Sequence, residues 1–183
     1  RRIISGISEF SNREFFVSSI VAGQQEHCFN VSDCDINFVL TIANYYKDIK
    51  FTRCNFLKDI NCTNLIVADN FDFTGCNFDG IASFTEVKVA GKSRFWNSAF
   101  NVKCYFNNVR FNDLADFFRV EFSEAIIFYK VDFFGTTVFT ETQFKKNALF
   151  TYTKITDVAI YTRTFFEKGL DLSLAIITGK INF

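Results

Sequence analysis

The only histidine of the chain, His27, precedes Cys28 and stands seven residues before Cys34. Imidazole and thiolate bind zinc, but a closed site needs three or four convergent ligands at short spacing. This trio lacks that spacing. A nucleophile–histidine–acid arrangement would also have to use His27, and a surface or capping role is the simpler reading. Gly6 and Gly23 form no phosphate loop, and no G-x-x-x-x-G-K-[ST] run occurs. Asp116, Glu121 and Asp132 read as solvated carboxylates, with nothing to pair them as acid and base. These residues indicate no enzyme, no cofactor and no metal site, so function must come from the shape and chemistry of the surface.

The charge balance narrows the choice of partner. Twenty Lys and Arg offset twenty Asp and Glu in 183 residues. That balance speaks against a polybasic nucleic-acid binder, and no small-molecule substrate is evident. Hydrophobic residues make up 49%, enough for a core in one domain and too many for wholesale disorder. No apolar run of about 18 residues is present, so no membrane span is expected in this segment. The absence of Met, including at position 1, suggests a processed or truncated chain.

The elements that shape the surface follow from an internal repeat. Phe73, Phe84, Phe95, Phe106, Phe117, Phe128, Phe139 and Phe150 recur every eleven residues, and each such step is one repeat unit. A second series, Phe78, Val89, Phe100, Phe111, Phe122, Phe133, Phe144 and Ile155, interleaves with steps of five and six. The register extends back through Val67, Cys62, Phe56, Phe51, Tyr45, Leu40 and Cys34 to Phe29, and forward to Phe183. Two residues before each position stands a small or β-branched residue, such as Cys76, Ala82, Val87, Ser93 or Ser98. The residue between is often charged, as at Lys88, Arg94, Arg110, Asp116 and Asp132. In a strand, residues i−2 and i share a face and i−1 points away. Each repeat is therefore a very short strand with two side chains in and one out. As a helix, at about 98° per residue, the apolar slots would surround the axis rather than form a stripe. Gly75, Gly80, Gly91, Gly135 and Gly179 lie two residues after an inward position, with Asn97 and Asn108 in the same slot. Tight turns with positive φ are expected there. Short strands separated by regular bends make a β-solenoid.

The segments CNFDG, ASFTE, SAFNV, ADFFR, VEFSE and ALFTY resemble the pentapeptide-repeat family, specifically a Phe-rich variant with alternating five- and six-residue spacing. The resemblance covers residues 27–183. It implies an all-β fold, a right-handed quadrilateral β-helix with four faces per coil. Two repeat units then make one coil, and about seven coils are expected. A flattened two-sided solenoid with a single unit per coil is the architectural alternative. Residues 1–26 fall outside the repeat and read as an N-terminal cap, with partial helical spacing at Ile7, Phe10, Val17, Ile20 and Val21. At the other end the chain stops at Phe183 within the repeat, as though sequence had been cut away or a partner covered that end. Cys34 and Cys62 fall in the Phe slot, and Cys54, Cys76 and Cys104 in the slot two earlier. They read as reduced core thiols, which suits a cytoplasmic or other reducing compartment.

With two units per coil, Tyr105, Ile127, Tyr129 and Leu149 gather into an exposed apolar patch on one face. Trp96 and Phe118 become neighbours on the opposite face. Aromatic residues concentrate at interface cores, so these six residues are the candidate partner-binding positions. The expected function is a non-catalytic scaffold whose flat faces dock a protein partner or a second copy. The resemblance also implies an alternative, a DNA mimic that binds a type II topoisomerase. Such mimicry needs an acidic surface, whereas here Lys and Arg share slots with Asp and Glu. A regular threonine array of the ice-binding kind is interrupted, because Trp96 and Phe118 break the row Thr74, Thr140, Thr162.

Overall fold

The computed structural model describes residues 2–4, 16–21 and 24–183, with side chains from residue 28 onward. Among the described residues every regular element is a β-strand. Most strands are very short and pair in parallel with the strand two repeat units away, as in Phe78 with Phe100, Phe84 with Phe106 and Arg94 with Asp116. The result is a β-solenoid of about seven coils. A coil of one unit would need pairs half as far apart along the chain, so the two-sided alternative is excluded.

Each coil has four strand positions. The first face carries Asn77–Phe78, Ala99–Phe100 and Glu121–Phe122. The second carries Cys104–Asn107, Ile126–Tyr129 and Asn147–Leu149. The third carries Arg110–Phe111, Asp132–Phe133 and Lys154–Ile155. The fourth carries Ser93–Arg94, Ala115–Asp116 and Thr137–Val138. Ile60–Val67 and Ala82–Val89 run continuously around the corner between the second and third faces, and so join them in one sheet.

The inward phenylalanines stack in columns. Phe56, Phe78, Phe100, Phe122, Phe144 and Phe166 follow one another with ring centroids 4.3 to 5.2 Å apart. Phe95, Phe117 and Phe139 stack at 4.9 Å. This spacing is imposed by the strand separation of about 4.7–4.9 Å. Between columns the rings meet edge to face, Phe117 lying 5.8 Å from both Phe106 and Phe128, which suits the ring quadrupoles. Small residues such as Ala82, Cys104 and Ala115 are fully or almost fully buried beside the rings.

The corners are of two kinds. At the five-residue corners a left-handed residue recurs once per unit, from Arg53 and Asn64 through Gly75 and Glu86 to Leu174. At Phe117–Val120 the Val120 amide donates to the Phe117 carbonyl at 3.2 Å, and Arg119, at φ 54°, is the third residue of the turn. A positive φ there marks a type II turn, which favours Gly or Asn. Non-glycine residues in this region are strained by about 1–2 kcal/mol. Glu86→Gly should therefore raise unfolding stability by about 0.5–1 kcal/mol in urea titration, after the entropy cost of glycine. A loss of stability would count against strain at that corner.

The residue after each left-handed corner points inward, and several there are hydrogen donors. Ser98 Oγ donates to the Phe73 carbonyl at 2.5 Å and accepts the Cys76 amide at 2.9 Å. Thr142 Oγ donates to the Phe117 carbonyl at 2.6 Å, and Thr153 Oγ to the Phe128 carbonyl at 3.1 Å. These bonds account for hydroxyls in an apolar core, because buried polar groups need partners.

Gly80, Gly91, Gly135 and Gly179 correct the expectation of positive φ, which among the glycines in this slot holds only for Gly75. They sit in six-residue corners where two coils approach closely. A Cβ on Gly80 would lie 2.1 Å from the Lys58 carbonyl carbon. Their role is steric.

The first coil departs from the expected register. Val31 pairs with Phe51 and Ile36 with Phe56, a spacing of 20 residues. Ile42 pairs with Cys62, and an irregularity between Ile42 and Asn44 then lengthens the coil, so that Tyr46 pairs with Val67 and Ile49 with Phe71. Val31, Ile36 and Ile42 thus occupy the phenylalanine columns. Phe29, Cys34 and Leu40 fall in the slot two earlier, and Tyr45 is 48% exposed. A slip of two residues keeps a side chain on the same face, so the apolar pattern does not reveal it. Phe16–Val21 is a strand antiparallel to Gln24–Ser32, not a helix. It forms the edge of the fourth-face sheet, and Arg2–Ile4 pairs with Cys34–Ile36. Ile7 and Phe10 lie outside the described residues.

Cys34, Cys54, Cys62, Cys76 and Cys104 are buried, and Cys28 is half-buried. Burial pushes the Cys62, Cys76 and Cys104 thiols up, away from the reactive thiolate.

Candidate functional site

The second face brings together the four residues expected there. Tyr105, Ile127 and Leu149 are aligned partners on three successive strands, preceded by Ser83 and followed by Asp171. Tyr129 lies two residues along from Ile127 on the same strand, so it points outward on the same face. Its ring meets Tyr152 edge-on at 5.7 Å, and the Lys130 ammonium lies 5.3 Å from the ring centre. All four residues are half-buried. Their outer atoms form a flat apolar strip across three coils, bounded by polar Ser83, Asn107 and Asp171.

The fourth face also meets expectation, with one correction. Trp96 and Phe118 flank a shallow cleft of about 350 Å³, completed by Asn97, Asp116, Val138 and Thr140. Asp116, read from the sequence as solvated, is only 8% exposed. Its Oδ1 accepts the Phe118 amide at 3.0 Å. Burial raises the Asp116 pKa, and the Trp96, Phe118 and Arg94 interactions oppose that rise. The sequence held one signal of this burial: a large ring, Phe118, stands two residues along from Asp116, and once coils are stacked a second, Trp96, lies next to it one coil away.

Cations surround both aromatic residues. Arg94 lies 5.7 Å from the Trp96 ring centre and pairs with Asp72 at 3.8 Å. Arg119 lies 4.7 Å from the Phe118 ring and pairs with Glu141 at 2.5 Å. Arg163 also pairs with Glu141, and this carboxyl is held below its usual range, first by the Arg119 hydrogen bond. The groove beside Glu121 and Lys145 is thus lined by an ion ladder of Arg119, Glu141 and Arg163. On the third face Phe134 lies between Arg110 and Lys154, at 5.1 and 5.7 Å, with Asp132 beside them. Cations and carboxylates alternate there.

Residues 73–121 match a family model described as pentapeptide repeats in nine copies. This stretch consists of pentapeptide repeats of that family. The matched residues include Trp96, Tyr105, Asp116 and Phe118, and the same pairing carries the pentapeptide-repeat solenoid on through Ile127 and Leu149. No curated protein and no solved structure matches the chain. Pentapeptide-repeat solenoids are generally non-catalytic and commonly serve as structural or interaction scaffolds. His27 lies in a strand, and its side chain falls outside the described residues. Among the described residues no cluster of metal-ligating side chains occurs, and no helix is long and apolar enough to cross a membrane.

Proposed function

We propose that this pentapeptide-repeat protein is a non-catalytic scaffold that docks a protein partner through the flat second face. The observation that carries the reading is the in-register strip of Tyr105, Ile127 and Leu149 with Tyr129 beside it. Stacked coils hold these side chains on a rigid ladder, so little ordering entropy opposes binding. Aromatic and aliphatic side chains surrounded by polar neighbours are the composition of an interface centre. The mixed charge of the surface gives no support to the topoisomerase-directed DNA mimic. The buried thiols of Cys62, Cys76 and Cys104 suit residence in a reducing compartment.

The test is a quantitative affinity capture comparing the native protein with Ile127→Glu and Tyr105→Glu. Both side chains point outward, so the variants should keep the native circular dichroism spectrum. A partner held by this strip should be recovered at least about tenfold less with either variant. Equal recovery of every captured protein would overturn the assignment of this face.

A further inference from the structure

The fourth face carries a second feature, distinct in chemistry from the apolar strip. The cleft between Trp96 and Phe118 has aromatic walls and an acidic floor. Asp116 is nine-tenths buried yet lines the cleft. The hydrogen bond it accepts from the Phe118 amide is from a neutral donor. The cation acting on it, Arg94, directs its terminal nitrogen to Asp72 at 3.8 Å and Asn70 at 3.4 Å. The other cation of the rim, Arg119, is taken by Glu141 at 2.5 Å. The floor is therefore a desolvated carboxylate whose neighbouring cations are committed elsewhere.

An occupant must suit both floor and walls. A purely apolar group would finish desolvating Asp116 without compensating its charge, which is costly. An anion would be repelled. A cation with an apolar stem meets both demands: the stem covers ring surface, and the charge faces the carboxylate. One Asp116 oxygen is already held by the Phe118 amide. A guanidinium fork engages both oxygens, whereas an ammonium is a point charge satisfied by one. We propose that this cleft receives the side chain of a lysine on a partner polypeptide, its methylenes along Trp96 and Phe118 and its ammonium at Asp116. The inference rests on the scaffold reading above, but on the opposite face, so each can fail without the other.

Trp96 is the only tryptophan of the chain, so its fluorescence reports on this cleft alone. The peptides acetyl-Gly-Lys-Gly-amide, acetyl-Gly-norleucine-Gly-amide and acetyl-Gly-Glu-Gly-amide are titrated against the full chain, with n-butylammonium as the free amine. The lysyl peptide should give a saturable change, and the norleucine and glutamyl peptides should bind at least about tenfold more weakly. Asp116→Asn retains an oxygen to accept the Phe118 amide and should keep the melting temperature, while losing about tenfold in lysyl-peptide affinity. No saturable response, equal binding of the norleucine peptide, or an unchanged affinity in Asp116→Asn would overturn the slot. Butylammonium binding about tenfold tighter than the lysyl peptide would reassign it to a small amine and overturn the polypeptide occupant. Each outcome leaves the capture experiment on Ile127→Glu unaffected.

Discussion

Phe117→Ala should destabilise the solenoid by about 3–5 kcal/mol, among the largest effects of any single truncation in the chain. The ring is fully buried. It stacks on Phe95 and Phe139 at 4.9 Å and meets Phe106 and Phe128 edge-on at 5.8 Å. The backbone around it is pinned: the Phe117 amide donates to the Val138 carbonyl at 2.8 Å, and its own carbonyl accepts Thr142 Oγ at 2.6 Å. With the coils held at strand spacing, the void cannot collapse, so the cavity cost adds to the lost transfer energy. A solenoid is held by neighbour contacts alone, so a weak coil in the middle should also broaden the unfolding transition. Phe183→Ala provides the contrast. That ring is 77% exposed and stacks on Tyr161 from one side, and its removal should cost about 1 kcal/mol or less. Urea unfolding followed by circular dichroism measures both. A Phe117→Ala cost within about 1 kcal/mol of the Phe183→Ala cost would contradict the continuous ring column.

The second large effect separates two glycines at neighbouring corners. In Gly80→Ala the new methyl would sit 2.1, 2.3 and 2.5 Å from the Lys58 carbonyl carbon, the Lys58 oxygen and the Asp59 nitrogen. All three are backbone atoms, so no side chain can swing aside. Relief requires the coils to part, and the nearby bonds from the Gly80 amide to Phe56 O at 3.2 Å and from the Ile81 amide to Asp59 Oδ1 at 2.8 Å would stretch. The expected loss is about 3 kcal/mol or more, from overpacking together with weakened hydrogen bonds. Gly75→Ala meets a milder penalty. Its φ is +67°, but its Cβ would come no closer than 3.4 Å to Arg53 Cγ. Left-handed strain, less the entropy gained by replacing glycine, makes that change cost about 0.5–1 kcal/mol. Equal losses, or the reverse order, would show that conformation rather than close approach governs both corner types.

The first coil shows how far periodicity reaches. The in-and-out alternation of Phe29, Val31, Cys34 and Ile36 was legible, because neighbouring inward positions are two residues apart and both point to the core. Which of the two joins the phenylalanine column was not, because a coil shorter by two residues gives the same alternation there. The antiparallel strand at Phe16–Val21 was hidden for a related reason: its apolar spacing at Val17, Ile20 and Val21 also fits a turn of helix, and only the partner strand resolves the choice. Glycine carried a similar ambiguity, since Gly75 and Gly80 look alike in sequence but answer to a torsion in one case and a neighbouring coil in the other.

The winding of this chain into stacked short strands, with Phe73, Phe78, Phe84 and their successors inside, can be read from the residues alone. The information is local: a side-chain period of two and a bend after nearly every strand need no knowledge of distant residues. The grouping of Tyr105, Ile127 and Leu149 on one face also follows from spacing, once the coil length is known. How deep each outward residue lies is a different matter, and it is set by the stacking of the coils. Asp116 occupies the same outward slot as Arg94 and Val138, yet it is buried, with Phe118 two residues along the chain and Trp96 brought in from the preceding coil beside it. Burial depends on the size of neighbours on stacked coils as well as along the strand, so it is settled only when the coils are packed.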